Sequence, residues 1–327
     1  MCEEMQGAEG DTGWKKAIPE GRDRLQSQVL VWVVGTLLIA QSILTLSLRY
    51  RFFQNDSRFI LSMISTSIGF SVLVQVLRAA TPAAAVFGGI ISLVLIDGSE
   101  SYGLSILHSG LTPLAFLFLL TFFSTRAGRQ AKTRAGLAEE RRGRRASQVV
   151  ANLSAAGLSV SMLGLILVTG SINFFSTGPY WRDWVVPAMK LMCLAALVEA
   201  TADTVSSEIG QAFGGRPILL LTGRHVEPGT DGAVTFVGSL AGIASGVFVA
   251  AVGMWSLRLR PSQAAIAVFA GICGLFFDSF LGATVERRGW LGNDLVNFSS
   301  TLFAALLAAA IYRFVSPQML MLSRMAV

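Results

Sequence analysis

The sequence predicts an all-α polytopic integral membrane protein with about nine transmembrane helices and a cytosolic N-terminus. Of its 327 residues, 53% are hydrophobic and only 14% are charged, and the mean hydropathy is +0.60. Soluble domains carry about 25% charged residues, so this composition favours a lipid environment over a large soluble core. Apolar runs of about 20 residues, the length that spans a bilayer as a helix, recur along the chain.

The apolar runs divide the chain into helices and short connections. The nine predicted spans are 29–48, 59–77, 82–96, 111–125, 150–170, 184–205, 233–256, 263–282 and 295–314. Residues 1–28 carry acids before any apolar run, which predicts a cytosolic disordered tail and not a targeting signal. Two N-terminal transmembrane helices then occupy residues 29–77, and residues 316–327 form a C-terminal tail.

The basic residues of the connections predict the orientation. With the N-terminus in the cytosol, the inside segments hold 17 Lys and Arg and the outside segments hold 8. Eight of the inside residues lie between Arg126 and Arg145. This bias follows the positive-inside rule, so the excess of positive charge indicates topology and a lipid bilayer partner, with no nucleic acid. The expected location is an endomembrane such as the endoplasmic reticulum or an organelle envelope, and the oligomeric state is undefined.

Carboxylates occur near the end of the sixth predicted helix. Glu199, Asp203 and Ser207 are spaced four residues apart, so they share one helix face. Carboxylates at membrane depth are costly, and they usually face a bundle interior or a wet cavity. Glu208 lies about 140° around an unbroken helix from Asp203. It joins the same site only if the helix loosens before Gly210.

A glycine-rich turn precedes the seventh predicted helix. The sequence Pro228-Gly-Thr-Asp-Gly232 is a turn signal, and exposed backbone N–H groups at such a turn can bind phosphate. Within the helix, Gly238, Gly242 and Gly246 form two overlapping GxxxG units, which favour close helix packing.

Further polar residues lie at the ends of three other helices. Asp278 shares a glycine stripe in helix eight, Asn293 and Asn297 open helix nine, and Gln148 and Asn152 open helix five. Asp278 alone could equally be a buried hydrogen-bonding group. In the predicted topology, however, all these motifs and those of helices six and seven reach the cytosolic interface. This agreement across five helices favours a functional site.

Five ordered blocks resemble the eukaryotic transmembrane protein 19 family, whose plant and cyanobacterial relatives include phytyl-phosphate kinase. The blocks are Gln148-Val-Val-Ala-Asn152, Ala202-Asp-Thr-Val-Ser-Ser-Glu-Ile-Gly210, Val226–Gly242, Asp278-Ser-Phe-Leu-Gly-Ala-Thr284 and Asn293–Ser300. The resemblance covers roughly residues 80–310, so residues 78–315 are expected to form the family's transmembrane domain. The sequence departs from the family pattern at Val205 and Ala233, and a Ser/Gly-rich block is shortened to Asp97–Gly103.

The resemblance implies an isoprenoid monophosphate kinase. It would transfer a phosphoryl group from a nucleoside triphosphate, CTP or another, to a membrane-embedded lipid phosphate such as phytyl or polyprenyl phosphate. Under this hypothesis Asp203 and Asp278 are catalytic, and with Glu208 they bind Mg²⁺, which favours carboxylates and water. The residues expected to bind phosphate or nucleotide are Gly229, Thr230, Gly232 and Arg224. Those expected to line the site are Asn152, Ser207, Asn293 and Asn297.

Two other classes of function fit the same sequence. Intramembrane acids and glycine-interrupted helices also suit a secondary transporter or a lipid scramblase. Against that class, the polar residues gather near one membrane face and not at the midplane. A non-catalytic scaffold of the same family is the third possibility, because the shortened block at 97–103 removes part of the expected anion-binding segment.

Overall fold

A computed structural model describes residues 18–52, 57–99, 105–134, 136, 143–169 and 184–316. It confirms a helical membrane protein. Within these residues, five helices are long and apolar enough to cross a membrane: Glu20–Arg51, Ser57–Val76, Phe236–Ser256, Pro261–Glu286 and Asn293–Val315. Two shorter apolar helices are Pro82–Asp97 and Leu111–Arg126. The total of nine spans and the cytosolic N-terminus stay predictions.

Eleven helices follow one another along the described chain. They are α1 (Glu20–Phe52), α2 (Ser57–Val76), α3 (Pro82–Ser99), α4 (Leu111–Arg126), α5 (Arg129–Arg134), α6 (Ala146–Ser159), α7 (Met162–Thr169), α8 (Val186–Phe213), α9 (Phe236–Ser256), α10 (Pro261–Leu281) and α11 (Asn293–Val315). A small antiparallel hairpin of β1 (Ile218–Leu219) and β2 (Ala233–Val234) lies between α8 and α9. A π-helical turn, Gly282–Glu286, extends α10.

Two predicted boundaries at the N-terminal and central regions are wrong. Helix α1 begins at Glu20, so residues 20–28 of the predicted disordered tail are helical, while residues 1–17 lie outside the described part. The predicted fifth span is two helices, α6 and α7. The break falls at Ser161, whose hydroxyl accepts a hydrogen bond from the Leu163 N–H at 3.1 Å. Such a side-chain bond competes with the helical pattern and permits a new helix to start.

Helix α8 is longer than predicted and lies at the centre of the bundle. It runs to Phe213, and Gly210 does not interrupt it. The reason is packing: a Cβ at Gly210 would lie 2.7 Å from the Thr235 hydroxyl, so this glycine permits close contact with the start of α9. Helix α8 is buried along most of its length and packs against α4, α6, α9, α10 and α11.

The glycine stripe of α9 is confirmed as a helix-packing surface. A Cβ at Gly242 would lie 2.5 Å from the Ala202 carbonyl oxygen, and one at Gly238 would lie 2.5 Å from the Ser206 carbonyl oxygen. Side chains at these positions would therefore collide with the backbone of α8. The close approach fixes α8 against α9 in the segment that carries the carboxylates.

The first turns of α1 bind the turn that precedes α11. Arg22 donates to the Gly289 carbonyl oxygen and Gln26 to the Trp290 carbonyl oxygen, each at 2.8 Å. The Ser27 hydroxyl donates to the Asp294 carboxylate at 2.6 Å. We call these contacts the N-terminal clamp. Asp294, near the start of a helix, is thus held by a neighbouring hydroxyl and complements the helix dipole.

The ends of the helices that carry the polar motifs lie at one end of the bundle, as the sequence predicts. The N-terminal clamp joins the starts of α1 and α11 there. Backbone hydrogen bonds at 2.9 and 3.0 Å join Arg144, just before α6, to Ala79 and Thr81, between α2 and α3. At the other end, Gln263 of α10 donates to the Tyr312 hydroxyl of α11 at 3.1 Å.

A tag inserted near Gly136 tests the orientation. This position lies in the connection that carries eight basic residues between Arg126 and Arg145, so the positive-inside rule places it in the cytosol. We expect antibody access to the tag in cells whose plasma membrane alone is permeabilised. Access only after the lumenal side is opened would contradict both the orientation and a cytosolic site.

Candidate functional site

A cleft of about 870 Å³ opens where α8, α9, α10 and α11 meet. We call it the polar cleft. Its walls come from the C-terminal half of α8, the turn before α9, and the adjoining ends of α10 and α11. The polar and glycine residues that line it are Asp203, Ser206, Ser207, Gly210, Gln211, Gly215, Gly229, Thr230, Asp231, Gly232, Thr235, Asp278, Ser279, Glu286 and Asn293. The structure therefore brings together most of the residues that the sequence predicts.

Two carboxylates, Asp203 of α8 and Asp278 of α10, face this cleft and interact electrostatically. The Ser300 hydroxyl donates to the Asp278 carboxylate at 3.1 Å. With its amide oriented to satisfy its neighbours, Asn297 donates to the same carboxylate at 3.2 Å. Neutral donors thus orient Asp278 without cancelling its charge, which leaves the pair suited to a cation.

The predicted asparagines form a chain of contacts behind Asp278. The Asn297 amide also donates to the Asn293 carbonyl oxygen at 3.2 Å, and the Asn152 side chain lies 3.1 Å from the Asn297 amide oxygen. Asn293 and Ser207 line the cleft itself. Asn152 and Asn297 therefore support the site from α6 and α11, while Asn293 and Ser207 are placed to touch a ligand.

Glycines at the turn before α9 take conformations that other residues rarely adopt. Gly229 has φ +88° and Gly232 has φ +71°. A Cβ at Gly232 would also lie 2.2 Å from the Ala283 backbone nitrogen, so glycine is required for the turn to approach α10. Thr230 is buried, and its hydroxyl donates to the Glu227 carbonyl oxygen at 2.5 Å. The turn therefore lines the cleft, and phosphate binding by it stays a prediction.

The structure does not bring Arg224 to the cleft, which corrects that prediction. Arg224 is exposed in the loop after β1 and is absent from the lining. Other arginines act on the acids instead: Arg144 interacts electrostatically with Asp203, and Arg287 with Asp231. The loop is turned away because the β1–β2 hairpin extends it from the end of α8.

Glu208 is also separate from the two aspartates, so the predicted three-carboxylate metal site is not formed. Helix α8 stays regular beyond Gly210, and Glu208 therefore points to another face. There its carboxylate pairs with the Lys132 ammonium at 2.5 Å and accepts from the Thr125 hydroxyl at 3.0 Å. Lys132 is only 2% exposed, so this is a buried ion pair that fastens α5 to α8.

Removing one partner of this buried pair should destabilise the fold. Lys132→Met leaves the Glu208 carboxylate without its cation, which costs about 3–5 kcal/mol in comparable pairs. We expect a lower melting temperature in detergent, largely restored in the Lys132→Met/Glu208→Gln double variant. Arg134→Met, an exposed change on the same short helix, is the control. A Glu208→Gln variant whose melting temperature no longer rises with Mg²⁺, in contrast to the natural protein, would make Glu208 a metal ligand.

The sequence prediction leaves three charged residues out of the core site. Glu199 is 1% exposed, sits one turn before Asp203, and interacts with Asp203 and Asp278. Its four-residue spacing from Asp203 was visible, but the resembled family has no clear counterpart. Arg144 belongs to a basic loop whose charge was explained by topology alone. Glu286 enters the lining because α10 continues as a π-helical turn, which the sequence does not indicate.

Asp231, in the loop before β2, gives the cleft a pH-sensitive group. Burial raises the pKa of Asp231 from 3.8 to about 6, while Arg287 opposes the shift. A raised pKa means that the stability contributed by protonated Asp231 is present below about pH 4 and is lost as pH rises through 6. The charged groups that act on it are Arg287 and Glu286.

Asp231→Asn should remove this pH dependence, because asparagine is neutral throughout. We expect the melting temperature of the variant, relative to that of the natural protein, to rise as the pH increases from 4.5 to 7. Each kcal/mol of stability that the natural protein loses over this range corresponds to about 2–4 °C. Thermal unfolding in detergent across that range measures the difference. A difference that stays constant with pH would contradict the assignment.

The fold and the cleft together define a polytopic integral membrane protein with an acidic site at one end of its bundle. The family model for Integral membrane protein DUF92 matches residues 65–305, and the chain belongs to this family. The family membership predicted from the five sequence blocks is thereby confirmed.

Three relatives illustrate the breadth of the similarity. The chain is 30% identical over 210 residues to Protein VTE6, chloroplastic, of Arabidopsis thaliana. The aligned region covers 63% of this chain and 60% of the relative. It is 30% identical over 202 residues to an uncharacterized membrane protein of Synechocystis sp., covering 60% of this chain and 73% of the relative. It is 36% identical over 121 residues to an uncharacterized membrane protein of Methanocaldococcus jannaschii, covering 36% of this chain and 50% of the relative. No solved structure shows significant similarity to the chain.

Proposed function

We propose that this protein is an isoprenoid monophosphate kinase. It would move the terminal phosphoryl group of a nucleoside triphosphate, CTP or another, to a membrane-embedded phytyl or polyprenyl phosphate. The observation that carries the proposal is the polar cleft, where Asp203 and Asp278 share a cavity with the glycine turn. Paired carboxylates and exposed backbone at a turn are what a metal-bound polyphosphate requires. The resemblance to a family that includes phytyl-phosphate kinase supports the same activity.

The residues of the cleft fit Mg²⁺ as a two-carboxylate site. Across the described ranges, no three Asp, Glu, His or Cys side chains converge on one metal position. Nucleotide-bound Mg²⁺ does not need three, because it usually takes one or two carboxylates together with waters and substrate phosphates. Asp203 and Asp278 would hold the ion. When bound, it would neutralise negative charge on the phosphates.

The chemistry needs positioning and charge neutralisation more than a general base. A phosphate monoester carries a charge of about −1.5 to −2 at pH 7, so its oxygen is already a nucleophile. That oxygen would form a bond to the terminal phosphorus of the nucleotide. The bond between that phosphorus and the bridging oxygen would break, giving a lipid diphosphate and a nucleoside diphosphate. Arg144 would offset negative charge near Asp203, and the Gly229–Gly232 turn would bind phosphate oxygens.

The position of the cleft favours phosphoryl transfer over ion-coupled transport. Transporter sites lie near the bilayer midplane, whereas this cleft is formed by the last turns of α8 and α10, the start of α11 and a connecting loop. An organelle envelope is the location that the chloroplastic relative supports. An endoplasmic reticulum location has no such support.

The test is transfer of labelled phosphate by the full chain in detergent or nanodiscs. A panel of terminally labelled nucleoside triphosphates is combined with phytyl and geranylgeranyl monophosphate, with and without Mg²⁺. We expect a Mg²⁺-dependent labelled lipid diphosphate with at least one nucleotide. Folded, monodisperse protein that labels none of these lipids with any nucleotide would overturn the proposal.

A further inference from the structure

A second cleft, separate from the polar cleft, opens among α2, α3, α4, α6 and α8. Its empty volume, which includes space open to the surroundings, is about 1150 Å³. We call it the basic cleft, because its inner walls are apolar and its rim is positively charged. The apolar walls include Phe70, Val74, Leu114, Leu117, Phe118 and Phe122. The rim residues are Arg78, Arg126, Arg129, Lys132 and Arg144.

The rim has more positive charge than its neighbours neutralise. Lys132 is paired with Glu208, as described above. Within the described ranges, Arg78, Arg126 and Arg129 form no ion pair with a carboxylate, although all three are exposed beside one another at the rim. The Arg126 guanidinium is held in place, because it lies 3.4 Å from the Phe122 ring centroid and donates to the Leu77 carbonyl oxygen at 3.3 Å. Such a rim suits a phosphate group.

The apolar part of the cleft adjoins surface that faces lipid. On α4, Phe123 is 64% exposed and Leu119 is 42% exposed, and on α2 Leu73 is 48% exposed. In a membrane protein these side chains contact acyl chains. Between these helices the Phe70 and Phe118 rings pack edge to face, with their centroids 5.8 Å apart. A hydrocarbon chain that enters between α2 and α4 from the bilayer would lie against these rings, with its charged end at the rim.

The basic cleft meets the polar cleft at helix α8. Thr204 lines the basic cleft and its neighbour Asp203 lines the polar cleft. Arg144, on the rim, interacts electrostatically with Asp203. Asn152 lines the basic cleft and contacts Asn297, which donates to Asp278. Arg144, Asn152 and Thr204 thus connect the rim of the basic cleft to the carboxylates of the polar cleft.

We propose that the basic cleft binds the lipid monophosphate acceptor, with its isoprenyl chain between α2 and α4 and its phosphate at Arg78, Arg126, Arg129 and Arg144. This assignment rests on the proposed kinase function for its acceptor, but lipid binding can be measured without any transfer. The nucleotide would then occupy the polar cleft, and the two phosphates would meet beside Asp203 and Asp278.

The test is photolabelling of the full chain in nanodiscs of zwitterionic lipid. The probe is geranylgeranyl monophosphate with a diazirine near the end of its chain, and labelled peptides are identified by mass spectrometry. We expect label on α2 and α4, in the peptides that contain Phe70 and Phe118, and protection by excess unmodified geranylgeranyl monophosphate. Label confined to α9 or α10 would overturn the assignment. Equal protection by inorganic phosphate would mean that the rim binds phosphate alone, and would also overturn it.

Rim variants give a second, independent measurement. Arg78→Gln and Arg129→Gln are exposed changes, and each should weaken binding of the probe about 10-fold, as expected for the loss of about 1.4 kcal/mol. Arg288→Gln, an exposed change at the same end of the bundle but outside the basic cleft, is the matched control. Equal binding by all three variants would contradict the proposal. Label on α2 and α4 without transfer from any nucleotide would refute the proposed kinase function but not the lipid site. Transfer together with label outside α2 and α4 would refute the lipid site but not the kinase function.

Discussion

Asp203→Asn is expected to lower phosphoryl transfer by at least about 100-fold, the scale on which loss of a charge-stabilising group at an active site usually falls. The side chain keeps its shape but loses the charge that would bind Mg²⁺. We also expect loss of the Mg²⁺-dependent rise in melting temperature that nucleotide gives. The assay is transfer of labelled phosphate to geranylgeranyl monophosphate, beside thermal unfolding of the same sample.

The stability of the unliganded Asp203→Asn variant separates a functional role from a structural one. Asp203 is close to Asp278 and Glu199, so removing its charge relieves repulsion among three carboxylates. The variant should therefore be at least as stable as the natural protein, as is common when a functional charge is removed. Glu20→Gln, an exposed change at the same end of the bundle, is the control and should retain full transfer. Failure of Asp203→Asn to fold would make Asp203 a structural acid, and retained transfer would refute the metal site.

Gly242→Leu is expected to reduce the yield of folded protein severely. Even a Cβ at this position would lie 2.5 Å from the Ala202 carbonyl oxygen and 2.8 Å from the Ser206 Cβ, so leucine must push α9 away from α8. Overpacking costs about 1–3 kcal/mol or more, and here it acts on the central helix. We expect loss of the monodisperse peak in size-exclusion chromatography and a lower melting temperature for any protein recovered.

The matched control for this change is Gly69→Leu in α2. No atom lies within 4 Å of a Cβ at Gly69, so the same substitution meets open space there. It should leave the yield and the melting temperature near those of the natural protein. A Gly242→Leu variant that is stable but inactive would mean that Gly242 serves the site and not the packing of α8.

The sequence predicts the helices and most residues of the site better than it predicts where the other charged side chains lie. The length of the apolar runs locates most of the helices, and the position of polar residues at helix ends places Asp203, Asp278 and the Gly229–Gly232 turn in one cleft. Helix geometry also explains why Glu208 is elsewhere, because 100° per residue turns it away from Asp203 unless the helix breaks. The sequence alone could not exclude such a break, since Gly210 permits one. The close contact of Gly210 with Thr235, which keeps α8 regular, depends on tertiary packing.

The same limit applies to the arginines. A basic loop satisfies the positive-inside rule wherever its side chains point, so its sequence does not distinguish Arg144 from Arg145. Backbone pairing with Ala79 fixes Arg144 in place, and Arg144 interacts electrostatically with Asp203 of α8. Arg224 belongs to a block that resembles the family, yet the β1–β2 hairpin directs it to solvent. Such positions depend on contacts between distant segments, which local patterns do not encode.

The N-terminal clamp bears on where the autonomous folding unit of this protein begins. The family match starts at residue 65, but the clamp residues Arg22, Gln26 and Ser27 precede it and hold the entry to α11. Leu38 of α1, further along the same helix, is fully buried in the core. A chain cut back to residues 65–305 would expose that core surface and release the turn before Asn293. The extent of shared sequence therefore marks common ancestry, while we expect the smallest piece able to fold to include α1.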